Sequence, residues 1–184
     1  VINTSMGWPW DGPGDGTSSH ANSPLNTLDL AVEGGALWVK SAGNYADGKN
    51  WYGAYSDLDG DGWLSFTSSL AYNPIELQAG TSLIVDLRWE DTWGNASSDL
   101  DLYLYGYDNG WVLLDVSNAV QDGGFGQDPF ETFQYSVPYT GYYYLFVKHT
   151  AGEAPEWFQL WPRGDGKLSV WVSEHSIGNP GDSS

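Results

Sequence analysis

The chain of 184 residues contains no cysteine, which excludes a disulfide framework and a thiolate metal site and leaves stability to the core and to bound ions. Lysine and arginine together number six against 24 aspartates and glutamates, a formal net charge of -18. That imbalance repels a nucleic-acid backbone and an anionic membrane surface, and favours cationic partners, calcium above all. No apolar run approaches the roughly 20 residues of a membrane span, and the opening VINTSMGW has no basic region followed by an apolar stretch. The expectation is a soluble piece with neither nucleic acid nor membrane as partner. The length suits one domain with a full core, or one domain carrying a smaller appendage.

What is abundant points to strands. With 11 Trp, 12 Tyr, 24 Gly and 9 Pro, short strands joined by tight turns are favoured over helices. One helix is expected. Ser23 suits its N-cap, Pro24 its first position, Leu25, Leu28 and Val32 recur at helical spacing, and Gly34-Gly35 stop it. Val1 and Ile2 read as the end of a short strand before it. Ala36 to Val39 after it form an apolar run of the kind a buried parallel strand needs. From Ile75 onward the pattern alternates, giving strands at 75–78, 82–90, 99–105, 111–116, 131–137, 142–148 and 167–172, with a short one near 157–161. Gly80, Asn109-Gly110, Gly123-Gly124, Gly141 and Gly164 supply the turns. The fold class is mainly β: an antiparallel β-sandwich, jelly-roll-like, preceded by a small strand-helix-strand segment.

Val1-Ile2-Asn3-Thr4-Ser5-Met6-Gly7, the helix, and then Gly35-Ala36-Leu37-Trp38-Val39-Lys40-Ser41-Ala42-Gly43-Asn44 resemble the interior of a subtilisin-like serine protease, where a V-I-N-x-S-x-G strand precedes one helix and a strand ending in A-G-N. The resemblance implies that Ser5, Met6 and Gly7 form one wall of a substrate cleft, that Ser41, Ala42 and Gly43 form the other, and that Asn44 donates to an oxyanion hole. A fixed N–H donor of that kind stabilises a tetrahedral intermediate by about 3 kcal/mol. The segment from Ser176 to Ser184 resembles the stretch that follows A-G-N in that family. The family's nucleophile, aspartate and histidine contexts are missing, and Gly16-Thr17-Ser18 is a false match because it precedes the A-G-N strand. The implied organisation is a subtilase-like fragment at 1–44, an acidic connector at 45–74, a sandwich at 75–173 and a return segment at 174–184.

Val85 to Asp91, Ser98 to Tyr105, Pro129 to Glu131 and Gly141 to Val147 are similar to the pre-peptidase C-terminal domains found beside secreted bacterial proteases. This second resemblance implies a secreted, extracellular module that binds calcium and a polymeric ligand, or assists secretion and maturation.

Asp57-Leu58-Asp59-Gly60-Asp61-Gly62-Trp63-Leu64 has the spacing of an EF-hand-type loop: carboxylates at the first, third and fifth positions, Gly62 at the sixth, and the Trp63 carbonyl as the next ligand. Ser68 stands where the usual twelfth-position Glu would be. The alternative is an acidic surface turn. Asp91, Asp99 and Asp101 are a second candidate calcium set, because Asp99 and Asp101 share a strand face; a solvated edge that blocks aggregation is its alternative.

Three functions follow. The first is a noncatalytic, calcium-stabilised module from a subtilase-like protein, holding a protein or polysaccharide. The second is part of an active serine peptidase, given the rest of its chain. The third is a carbohydrate-binding module or small glycoside hydrolase. In the third, Trp8, Trp10, Trp51, Trp63, Trp93, Trp111, Trp157 or Trp161 would stack on sugars, and Glu131 with Glu153 or Glu156 would be the carboxylate pair. Three or more coplanar exposed Trp rings would favour it. His20, His149 and His175 have no zinc spacing.

Overall fold

The computed structural model describes residues 1–8 and 11–177. Trp10 and the stretch 178–184 of the expected return segment lie outside the described residues. The chain opens with β1 (Ile2–Thr4), α1 (Pro24–Glu33) and β2 (Trp38–Lys40), and β1 and β2 pair in parallel. The helix begins where its capping chemistry says it should: Ser23 Oγ accepts the Leu25 N–H at 2.9 Å and Gly34 closes the other end. Leu25 and Leu28 are buried, but Val32 is 53% exposed. The second strand is parallel, as its apolar run predicts, yet it is not buried. Leu37 and Val39 are 61% and 45% exposed, because a two-stranded sheet with a single helix has nothing to cover its second face.

The remaining strands are β3 (Trp51–Ala54), β4 (Asn73–Leu77), β5 (Ser82–Trp89), β6 (Asp99–Tyr107), β7 (Trp111–Ser117), β8 (Phe130–Ser136), β9 (Gly141–Ala151), β10 (Trp157–Arg163) and β11 (Lys167–Leu168). They form two antiparallel sheets, ordered β3-β10-β5-β8 and β11-β4-β9-β6-β7. The period-2 pattern places one set of side chains between them. Leu83, Val85, Leu87 and Trp89 of β5 meet Leu100, Leu102 and Leu104 of β6, Leu145 and Val147 of β9, and Phe158 and Leu160 of β10, all within one core.

Two sequence expectations change here. Residues 45–74 are not a connector: β3 pairs with β10, and Trp51, Leu64 and Phe66 enter the sandwich core. Trp51 stacks on Phe158 with ring centroids 4.3 Å apart. The last strand ends at Leu168 instead of running to 172. Pro74 has no N–H to extend the ladder on that side, and the Asn73 side chain replaces it, with Nδ2 donating to Val170 O at 2.7 Å and Oδ1 accepting Val170 N–H at 3.1 Å.

The two outer sheet faces differ. Along β5 and β10 the outward residues Asp86, Arg88, Gln159 and Trp161 are nevertheless buried, because the segments before β3 and after β11 lie over this face; Gln159 Nε2 donates to Asn50 Oδ1 at 2.7 Å and His175 O at 2.6 Å. The Arg88 guanidinium donates to Gly12 O at 3.2 Å, and Tyr45 packs on Trp161. At the side of this sheet, His20 Nε2 meets Asp128 at 2.8 Å. The outer face of the five-stranded sheet instead carries aromatic rings that reach solvent.

Candidate metal centre and binding surfaces

The acidic loop sits between β3 and β4. Its return arm lies along β9: Gly62 O accepts His149 N–H at 2.9 Å and Leu64 N–H donates to Val147 O at 2.8 Å. Leu64 is fully buried and anchors that arm in the core. Asp57 accepts Gly60 N–H and Gly62 N–H at 2.9 Å each, one on either carboxylate oxygen, and Asp61 Oδ1 accepts Trp63 N–H at 2.9 Å. Gly60 and Gly62 have φ of 75° and 88°, the left-handed region that lets the loop turn this sharply. Although burial opposes ionisation of Asp57, the N–H groups of Gly62, Gly60 and Asp61 outweigh it and hold its carboxyl below the ordinary range.

Oxygens of Asp57, Asp59 and Asp61 lie within 4.8 Å of one another, the one such carboxylate group among the described residues. Three like charges converge there on a backbone that fixes them, which is a donor set of hard oxygens suited to calcium. Because Gly62 and Leu64 make the bonds to β9, the Trp63 N–H and C=O lie outside that ladder. The Trp63 ring itself lies under Lys148 Nζ at 5.1 Å.

The second carboxylate set does not converge in this way. Asp91 is taken up by a turn, accepting Thr92 N–H at 2.6 Å, Ser97 N–H at 2.8 Å and Ser98 N–H at 2.6 Å. Asp99 accepts Gln121 N–H at 3.2 Å and the Thr150 hydroxyl at 2.8 Å. Asp101 takes the Tyr103 hydroxyl at 2.7 Å. Burial pushes the Asp101 carboxyl up, and Asp99 beside it adds to this against the opposing Tyr103 bond and Lys148. Glu131 is 2% exposed and bonded to Ser117 and Gln121, whereas Glu153 and Glu156 stand exposed beyond β9.

The aromatic face is built by alternation on β6 and β9. Tyr105 pairs across from Tyr144 and Tyr103 from Phe146. Trp111, first residue of β7, packs edge-on against Tyr72, Tyr144 and Phe146 with centroids 5.0–5.3 Å away. Trp111 is 47% exposed and Tyr107 and Tyr142 are 62% and 58% exposed. Among the described members of the tryptophan set named from sequence, Trp111 is the exposed one; Trp51 and Trp161 are buried and Trp8, Trp63, Trp93 and Trp157 are half-buried. The platform is therefore made mostly of tyrosine, and the coplanar Trp array is absent among the described residues. The alternation of Tyr103, Tyr105, Tyr144 and Phe146 was the signal that could have located it.

Ser5 and Gly7 beyond β1 face Ala42, Gly43 and Asn44 beyond β2 across a cavity of about 260 Å³. Met6 and Ser41 do not line it, and Met6 is 63% exposed. Lys40, Lys49 and Arg163 also line this space; Lys40 adjoins the Ala42–Asn44 wall, whereas Arg163 ends β10 far along the chain, where no local pattern could have placed it. Neither ring nitrogen of His20 stands at the Ser18 hydroxyl: they face Asp11 at 3.4 Å and Asp128 at 2.8 Å, while Ser18 Oγ accepts the backbone N–H of His20.

Among the described residues, no helix is long and apolar enough to cross a membrane. No curated protein matches the chain. Among solved structures, the chain is similar to one titled as the crystal structure of the infectious bursal disease virus VP2 subviral particle, at 16% identity and a TM-score of 0.29, with 75% of this chain and 33% of that chain covered. The chain thus spans about a third of that protein's length. The sandwich strands from β4 to most of β9 carry the family likeness, and residues 71–149 match the family model of the bacterial pre-peptidase C-terminal domain.

Proposed function

We propose that this chain is a noncatalytic, calcium-stabilised β-sandwich module of a secreted, protease-associated protein, and that it holds a polymeric ligand. The observation that carries the calcium reading is the convergence of Asp57, Asp59 and Asp61 within 4.8 Å on a loop whose return arm is bonded to β9. Asp57, Asp59, Asp61 and the Trp63 carbonyl would hold the ion, which would supply the positive charge those carboxylates lack. Tying the loop to β9 makes ion binding a folding term, because the unfolded chain has no such site.

The polymer reading rests on the aromatic face. Exposed rings of Tyr107, Trp111 and Tyr142 offer flat apolar area with polar edges, which stacks on the apolar faces of sugar rings or packs against an extended protein chain. The match of residues 71–149 to a pre-peptidase domain supports secretion beside a protease. The test is thermal unfolding with and without calcium, repeated with soluble polysaccharides. Calcium at 100 times its Kd raises stability by about 2.7 kcal/mol. No rise in the midpoint at millimolar calcium would remove the metal reading, and no further rise with any glycan would move the ligand to a protein.

A further inference from the structure

The sandwich is open at one end. There β6 stops at Tyr107 and turns through residues 108–110 into β7, and β8 turns through residues 137–140 into β9. The antiparallel pairing of β6 with β9, Tyr105 opposite Tyr144, puts both turns at the same end of the molecule. Between them lies a cavity of about 490 Å³. Leu114 of β7 and Tyr135 of β8 belong to different sheets, pack against the one core and both line this cavity, so it reaches into the gap between the layers.

The lining is rich in tyrosine: Tyr107, Tyr135, Tyr139, Tyr142 and Tyr143 all contribute. Tyr135 and Tyr143 stand with ring centroids 6.0 Å apart and planes tilted by 59°. The Tyr143 hydroxyl donates to Tyr139 O at 2.8 Å, which holds the turn between β8 and β9 in place. Tyr107, Tyr139 and Tyr142 are 62%, 77% and 58% exposed and form the rim. Among the described lining residues one side chain is charged, Asp108. Its carboxylate accepts the Asn109 side-chain amide at 3.1 Å, and no Lys, Arg or His forms an ion pair with it among the described residues. Burial first, then Tyr143, Asp115 and Tyr139, push the Tyr135 phenol up, so that ring keeps its proton.

We propose that this cavity binds a quaternary ammonium group of the choline type, with tyrosine rings against its methyl groups and Asp108 supplying the opposite charge. The negative face of an aromatic ring attracts a cation, most strongly where water is excluded. An anionic ligand has no cation here to pair with. A primary ammonium brings three N–H donors that need acceptors, and two acceptors of the lining are already engaged: Tyr139 O by Tyr143, and Thr140 Oγ1 by the Ala79 N–H at 3.0 Å. A methylated ammonium needs none, and its methyl groups also suit Val112 and Leu114. The volume falls within the roughly 300–1,000 Å³ of small-molecule sites. This site goes beyond the polymer reading: Tyr107 and Tyr142 are common to both, but choline binding is read in the absence of any polymer.

Isothermal titration calorimetry of the full chain with choline chloride, in about 0.15 M sodium chloride to screen the net charge of -18, is expected to show saturable binding at one site in the millimolar range. The neutral isostere with a tert-butyl group in place of the trimethylammonium, and the primary amine ethanolamine, should each bind at least about tenfold more weakly. Tyr139→Ala removes an exposed ring, and Asp108→Asn removes the charge but keeps an acceptor for Asn109. Each should weaken choline binding about fivefold to tenfold while unfolding at the wild-type temperature. A neutral isostere as tight as choline would make this an ordinary apolar cleft, and ethanolamine as tight would make it plain charge attraction. Either result, unchanged affinity in both variants, or no saturable binding of choline would overturn the proposal.

Discussion

Arg88 and Gln159 face each other across β5 and β10, and the guanidinium donates twice to the same amide oxygen, Nε at 3.0 Å and a terminal nitrogen at 2.8 Å. The same group stands 4.5 Å over the Trp161 ring and reaches Gly12 O. One cation thus joins two strands and the N-terminal segment. Arg88→Ala leaves buried acceptors without their donor and is expected to cost about 2–3 kcal/mol. Residues 11–23 should become the first site of hydrogen exchange. An unchanged exchange pattern in that segment would show that Arg88 does not hold it.

Asp59→Asn with Asp61→Asn removes two charges from the loop and leaves its turn in place. The variant should lose the calcium-dependent rise in melting temperature and, without calcium, melt no lower than the wild type. Gly62→Ala should lose the calcium-dependent rise and also lower the melting temperature without calcium. Its φ of 88° is strained for any side chain, and an added Cβ would lie 3.3 Å from His149 O.

His20 links the N-terminal loop to Asp128 and Asp11. Burial lowers its proton affinity, but the contacts with Asp128 and Asp11 outweigh this and raise it above the ordinary 6.5. The folded state therefore holds this proton more tightly than the unfolded state. The stabilisation is fully present below pH 6.5 and is lost as pH rises through the raised value. Stability measured from pH 6 to 9 should fall in that window in wild type, and His20→Gln should flatten that part of the curve.

Trp111→Ala tests the aromatic face. Central aromatic anchors commonly contribute 2 kcal/mol or more to an interface, so ligand affinity should drop by about thirtyfold. The loss of fold stability should stay under about 1 kcal/mol for a half-exposed ring. Equal affinity of variant and wild type would place the polymer elsewhere.

Trp51→Ala tests the strand that sequence did not reveal. Trp51 is 6% exposed and stacked on Phe158, with Phe66 edge-on at 5.1 Å. Loss of about 3–5 kcal/mol is expected from denaturant titration. A cost below 1 kcal/mol would mean that β3 is not integral to the sandwich.

The strands from β4 to β10 were legible because alternation between a core and an outer face leaves a period-2 record, clearest in Leu100, Leu102 and Leu104. The helix was legible from Ser23 and Pro24. Trp51 to Ala54 was not, since a four-residue strand preceding an acidic loop has too few residues to show a period. Carboxylate spacing announced the loop at 57–61 because its ligands are local in sequence. The approach of Arg163 to the cavity and the bonds that bury Arg88 are long-range, and no local pattern records them.

Five of the six Lys and Arg residues lie inside strands, at Lys40, Arg88, Lys148, Arg163 and Lys167. A trypsin-like protease needs such a side chain in its specificity pocket with several flanking residues in extended, detached form. Cleavage at these five would require pulling a strand out of its sheet. Digestion there follows sheet opening, and Lys49 is guarded in the same way, because Asn50 after it is fully buried, accepts the Val172 N–H and leads directly into β3.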